Sequence, residues 1–199
     1  MNAMALKICG LTDPLVAKQA VQLGVDYIGL VFHEPSKRHL DLEQGMRIAD
    51  AVHETNGLVV PVFVNQTTDD ILRISDKIKA DVIQLHGTPA LMAYADITAY
   101  YPCIIATPYC STFDEFDQGR DFLLYDAPTP GSGQSVDWRA LAIDLHFRGF
   151  IAGGINRHNI IAARDYFHPF GFDISTGVES SPGVKDLKLI EEIIGMICK

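Results

Sequence analysis

Ile151-Ala152-Gly153-Gly154-Ile155-Asn156 and, further on, Phe172-Asp173-Ile174-Ser175-Thr176-Gly177-Val178-Glu179 are the stretches that decide the fold. Each is a short apolar run that breaks into small residues and glycine before a new segment begins. Glycine lets the backbone come close to a ligand, and the first amides of the following segment point unpaired N–H groups at it. Gly153-Gly154 or Thr176-Gly177 alone could be no more than turn residues. Both together, closing the last two strands of a parallel barrel, form a phosphate grip. The substrate class this implies is a phosphorylated small molecule.

Outward from these endings the whole chain alternates short apolar runs with longer amphipathic ones. Strands are predicted at 5–9, 26–32, 58–64, 82–86, 102–107, 121–126, 149–152 and 171–175. Helices are predicted near 13–23, 41–54, 68–79, 88–98, 111–117, 137–146, 156–166 and 186–198. Strand-helix units of roughly 25 residues, repeated eight times, are the signature of a closed (β/α)8 TIM barrel. Residues 4–199 read as that single domain, with Met1-Asn2-Ala3 set aside as a remnant ahead of Met4. Thr12-Asp13-Pro14, Asp41 and Thr67 or Thr68 mark helix starts. Leu58 to Val64 is apolar on both faces, as a buried parallel strand should be, although Pro61 is awkward inside a ladder. The long connection from Ala127 to Val136, with Gly131 and Gly133 following Pro128 and Pro130, reads as a lid.

Composition narrows the function further. Hydrophobic residues make up 48% of the 199, enough for one sizeable core. A net charge of −9 argues against nucleic acid or an anionic membrane as partner, since both need a basic face. No apolar stretch is long enough to span a bilayer, and no signal peptide is legible. Cys9, Cys103, Cys110 and Cys198 show neither metal-ligand spacing nor a secreted disulfide pattern, so no metal is expected and a cytoplasmic setting fits. Monomer and homodimer are both compatible with the pattern.

Barrel active sites lie at the C-terminal ends of the strands. The polar residues placed there are Cys9, Arg38, Asn65, His86, Asp126 and Asp173. Cys9 ends the first strand, on the face opposite Ile8; a small buried core residue is the plainer reading of it. Asp126 ends Phe122-Leu123-Leu124-Tyr125, where a carboxylate costs desolvation unless it is paired or working; it could also cap the next loop. His86 in Gln84-Leu85-His86-Gly87 is either functional or a satisfied structural histidine. Arg38 is a solvated loop charge unless a carboxylate must be held, for which its fork is suited. Glu179 is the alternative carboxylate or simply faces water. Asp137 and Trp138 begin the sixth helix, and the other three cysteines read as structural or surface thiols.

In this order the pieces resemble the phosphoribosylanthranilate isomerase family of tryptophan biosynthesis, nearly end to end. The resemblance is carried by Lys7-Ile8-Cys9-Gly10, Gly29-Leu30-Val31-Phe32, Pro35-Ser36-Lys37-Arg38, Val62-Phe63-Val64-Asn65 and Gln84-Leu85-His86-Gly87. Asp126, Gly131-Ser132-Gly133, Asp137-Trp138 and the two strand endings quoted above, with Pro182-Gly183-Val184-Lys185-Asp186, complete it. The resemblance implies an Amadori rearrangement of N-(5-phosphoribosyl)anthranilate with Asp126 as general acid and Cys9 as general base. It also implies that Gly153, Gly154, Ser175, Thr176 and Gly177 hold the phosphate, that Arg38 holds the anthranilate carboxylate, and that His86 and Asp173 contact substrate. No cofactor is implied. The chain departs from the family pattern in a shorter loop after Asp126, in Pro130 and Val136, and in Thr176 for the usual serine. The threonine keeps the hydroxyl and should be tolerated, whereas the loop change bears on lid closure and turnover rather than on reaction type.

Two other readings remain. Sugar-phosphate barrel isomerases of histidine biosynthesis share the architecture, but they use an aspartate where this chain has Cys9 and carry two phosphate sites. A non-catalytic barrel that binds a phosphometabolite would show tight binding without turnover.

Overall fold

The computed structural model describes residues 4–108, 116–126 and 149–197. Among them eight parallel strands close into a barrel in sequence order: β1 (Ala5–Cys9), β2 (Tyr27–Val31), β3 (Leu58–Phe63), β4 (Ile83–His86), β5 (Cys103–Pro108), β6 (Phe122–Asp126), β7 (Gly149–Ile151) and β8 (Gly171–Ile174). Closure is made by β1 against β8, with Lys7 level with Asp173. The outer layer holds α1 (Pro14–Leu23), α2 (Leu42–His53), α3 (Thr68–Ile78), α4 (Thr88–Met92), α5 (Tyr94–Ile97), α6 (Ile160–Phe167) and α7 (Leu187–Ile197). The expected fifth helix at 111–117, the expected sixth at 137–146 and the loop 127–136 lie largely or wholly outside the described residues.

Period-2 alternation sorts each strand into two faces. Leu6, Ile8, Ile28, Leu30, Ile83, Leu85, Ile105, Leu123, Ile151, Phe172 and Ile174 point outward into the core shared with the helices. The opposite faces fill the barrel. Its floor is aromatic: Tyr27, Phe122 and Phe150 meet with ring centroids 5.5–6.4 Å apart, and Phe170 closes on Phe122 at 4.8 Å. Above that floor the same inward faces carry Lys7, Cys9, Gln84, His86, Asp126 and Asp173. Strand parity turns these polar groups inward, and their places near the C-terminal ends of parallel strands gather them at one end of the barrel.

Local chemistry explains the boundaries. Asp13 caps α1 by accepting from the amides of Leu15 and Val16, with Pro14 opening the helix. Asp41 and Gln44 form a reciprocal capping box on α2, and Thr67, not Thr68, caps α3. Pro61 lies inside β3 after all. Val59, two residues earlier and facing the same neighbour, accepts from Asp81 and Val82; the missing N–H therefore falls on the β4 side, where register begins only at Val62↔Gln84. The helix expected at 88–98 is two short ones meeting at Ala93. The helix expected from 156 starts at Ile160, because Asn156 and Asn159 spend their side chains on local backbone groups.

Beyond β8 the chain makes a 3-10 turn at Thr176–Val178. It then forms a small antiparallel hairpin, β9 (Glu179–Ser181) and β10 (Val184–Lys185), that the sequence pattern did not suggest. The hairpin sits at the mouth of the barrel, where Thr12 donates to the carbonyl of Gly183.

Candidate active site

A cavity of about 610 Å³ opens at the C-terminal end of the barrel, a size suited to a small ligand. Its walls bring together Cys9, Arg38, His86, Asp126 and Asp173 with Gly153, Gly154, Ser175 and Thr176. Asn65 is not among them: it is exposed and lines a neighbouring groove with Gln66 and Thr67. Asp137, Trp138, Cys110 and Cys198 lie outside the described residues.

On one side lies a cluster of main-chain donors. Gly153 and Gly154 have φ of 83° and 70°, the left-handed region that favours glycine. The Gly154 carbonyl accepts from the side-chain amides of both Asn156 and Asn159 at 2.9 Å, which fixes the peptide orientation. Gly177 is required for a different reason. A Cβ there would lie 1.9 Å from the carbonyl oxygen of Ile155, so the turns after β7 and β8 touch backbone to backbone. Among the described residues the N–H groups of Gly154, Thr176 and Gly177 donate to no protein acceptor. Such a group of free amides is an anion cradle.

The opposite side is ionisable. Lys7 is fully buried, and its Nζ lies 2.9 Å from Asp173 Oδ1. Burial penalises the ammonium, but the attraction of Asp173, hydrogen-bonded to it, and of Cys9 outweighs that penalty and raises its pKa. Removing either member of the pair alone would strand a buried charge at a cost of about 3–5 kcal/mol. The Cys9 thiol is pushed up by burial, with Lys7 pulling it back down and Asp173 opposing Lys7. His86 is pushed down by burial, which outweighs the attraction of Asp173 and is reinforced by repulsion from Lys7, so the ring is neutral near pH 7. Its Nδ1 faces Gln84 Nε2 at 3.3 Å; its Nε2 is 3.9 Å from Asp126 Oδ2, too long for a hydrogen bond. Among the described residues Gln84 Oε1 is buried without a partner.

Arg38 is not a solvated loop charge. Its Nε and Nη2 donate to Glu179 Oε1 and Oε2 at 2.7 and 2.8 Å. Glu179, in turn, does not face water: its side chain is 6% exposed and also accepts from Lys185 Nζ at 2.7 Å. Burial raises the Glu179 carboxyl, but the two cations together hold it below its usual value. Lys185 continues the chain of contacts, donating to the Ser175 carbonyl and hydroxyl, and Ser175 Oγ donates to the Cys9 carbonyl.

Sequence reasoning did not single out Lys7, Gln84 or Lys185. The signal for Lys7 was present: a lysine inside an apolar strand, two residues from Cys9 and therefore on the same face. Lys185 carried no such signal, because the hairpin that turns it inward is a tertiary feature. Among the described residues no group of three or more histidine, cysteine or acidic side chains could hold a metal ion. None of their helices is long and apolar enough to cross a membrane.

Comparison with known proteins gives one answer. Residues 6–196 match the family model described as N-(5′-phosphoribosyl)anthranilate isomerase. The N-(5′-phosphoribosyl)anthranilate isomerase of Streptococcus pneumoniae is 38% identical over 192 residues, covering 95% of this chain and 93% of that protein. The crystal structure of the phosphoribosylanthranilate isomerase of Thermotoga maritima superposes with a TM-score of 0.84 at 32% identity, covering 98% of each chain. A phosphoribosylanthranilate isomerase crystallised with reduced 1-(o-carboxyphenylamino)-1-deoxyribulose 5-phosphate superposes at 0.80 and 28% identity, again over 98% of each.

Proposed function

The chain belongs to the N-(5′-phosphoribosyl)anthranilate isomerase family, and from that premise we propose how its own residues carry the rearrangement. The reaction converts N-(5-phosphoribosyl)anthranilate into 1-(2-carboxyphenylamino)-1-deoxy-D-ribulose 5-phosphate, a step of L-tryptophan biosynthesis. It is balanced by proton transfers alone. The ring oxygen gains a proton as the nitrogen lone pair forms a double bond to carbon 1 and the bond from carbon 1 to that oxygen breaks, leaving an open-chain iminium ion. Carbon 2 then loses its proton, and the resulting enolamine relaxes to the ketone.

The observation that carries the assignment is that Asp126 and Cys9, from β6 and β1, open on one cavity walled by the amide cradle. Asp126 is the general acid toward the ring oxygen and Cys9 the base toward carbon 2. The pair needs only one proton between them, since a thiolate with a carboxylic acid carries the same total as a thiol with a carboxylate. The amides of Gly154, Thr176 and Gly177 hold the 5-phosphate, with Gly153 and Ser175 shaping the cradle. Arg38, aimed by Glu179, meets the anthranilate carboxylate with its remaining N–H groups. His86 and Asp173 line the sugar between these ends. Every named group comes from one chain, so monomer and homodimer carry the same site. A free thiol base suits the reducing cytoplasm.

Turnover of freshly generated phosphoribosylanthranilate, followed by loss of its fluorescence, tests this reading. Wild type should consume it well above the spontaneous background, and Asp126→Asn should be slower by roughly 10²–10⁴-fold, the usual worth of a general acid. Near-normal turnover in the variant would remove Asp126 from the role. Tight binding of a product analogue without any turnover in wild type would make the chain a binding barrel instead.

A further inference from the structure

We propose that Lys7 is a positioning residue for Cys9: its ammonium, anchored by Asp173 inside the barrel, is the counter-ion the sulfur requires when it gives up its proton. The inference rests on Cys9 being the base at carbon 2. It begins with a residue that barrel stability does not explain. Lys7 is fully buried, while its neighbours Leu6 and Ile8 point the other way into an ordinary apolar core. An ion pair in such a place is rarely more stabilising than apolar side chains of the same volume. A lysine kept there has some other use.

Geometry supplies that use. Lys7 and Cys9 are two residues apart on β1, so both side chains enter the barrel, and the ammonium that Asp173 holds at 2.9 Å lies close enough to the sulfur to act on its charge. The three groups form a carboxylate–ammonium–sulfur series. While Cys9 holds its proton, Lys7 and Asp173 neutralise each other. When the thiol ionises, the ammonium already faces it, with no side chain left to rearrange.

Other charges around Cys9 are less well placed for this. Asp173, from β8, repels a thiolate. Lys185, from β10, attracts it, but Glu179 holds that ammonium at 2.7 Å. Arg38, from the segment between β2 and α2, also feels Cys9 but is committed to the same Glu179. β2 presents Gly29, which has no side chain, and β4 presents His86, kept neutral by burial. Among the attractions that draw the thiol down against its burial, Lys7 ranks first.

The test is the pH dependence of Cys9 alkylation by iodoacetamide in the free enzyme, read by mass spectrometry on the Cys9 peptide. The variants are Lys7→Met, Lys7→Arg and Lys7→Met/Asp173→Asn, the last avoiding a stranded buried carboxylate should Lys7→Met fail to fold. Lys7→Met should move the profile to higher pH, slowing alkylation at a fixed pH below the midpoint by roughly tenfold or more. Lys7→Arg, which keeps the cation, should stay closer to wild type. The double variant should also move upward, by less, because Lys7's attraction at the sulfur exceeds Asp173's repulsion. An unchanged profile in the double variant would overturn the role of Lys7 and leave Cys9 standing as base. Near-normal turnover in Cys9→Ser would remove the base itself, whatever the alkylation profile shows.

Discussion

The guanidinium of Arg38 closes a two-pronged ion pair on Glu179, with Nε on Oε1 at 2.7 Å and Nη2 on Oε2 at 2.8 Å. The two residues lie at opposite ends of the chain, and their union fixes the orientation of the remaining guanidinium N–H groups. Glu179→Gln should therefore raise KM by roughly tenfold, the scale of one charge-assisted hydrogen bond, while kcat falls less. Arg38→Ala should raise it at least as much. Steady-state kinetics decides; an unchanged KM in both would detach Arg38 from the substrate carboxylate.

Acid stability should register the same pair. The folded Glu179 carboxyl lies below its ordinary 4.5, burial opposing and the two cations prevailing. A depressed carboxyl contributes stability that is complete above the unfolded value and lost as pH falls through the folded one. Urea midpoints measured from pH 6 downward should fall less steeply in Glu179→Gln than in wild type below about pH 4.5. Parallel curves would show that the pair contributes nothing to folding.

Cys9→Ser should lower turnover by roughly 10²–10⁴-fold, because an alcohol ionises far less readily than a thiol and supplies almost no anionic base. The change keeps size and polarity, so thermal stability should hold. A variant with near-wild-type rate constants would exclude Cys9 as base.

Gly177→Ala places a methyl where the Ile155 carbonyl already lies, so the two phosphate-side turns must separate. The expected cost is about 1–3 kcal/mol of stability, with weaker binding of phosphorylated ligands. Thermal denaturation with and without a product analogue reads both. Normal affinity in the variant would show that the cradle does not depend on this contact.

Cys103 should be silent to thiol reagents in the folded protein, since burial first, and Asp121 second, push it up to about 12. Peptide mapping after alkylation at pH 8 should find it unmodified until the chain is denatured. Labelling of the native protein there would show that the wall behind β5 opens.

Much of this molecule was legible in the chain. Strand parity put Cys9 on the face opposite Ile8, and the apolar run from Phe122 to Tyr125 put Asp126 at a strand end. Side chains two residues apart must share a face, and parallel strands must end at one rim. The glycines after β7 and β8 announced the cradle because few other residues reach their backbone angles or tolerate such contact. Asn65 was misplaced: it follows its strand closely, but the chain has already turned outward to be held by Gln66.

The sequence by itself determined the barrel, the rim where chemistry occurs and the residues offered there, because these follow from periodicity and turn chemistry within short windows. Tertiary structure alone decided who meets whom across that rim. Lys7 joins Asp173 only because β1 and β8 close the barrel, and Arg38 joins Glu179 only because the β9–β10 hairpin folds back over the mouth. Pairings between distant segments depend on closure of the whole chain, and no local window contains them.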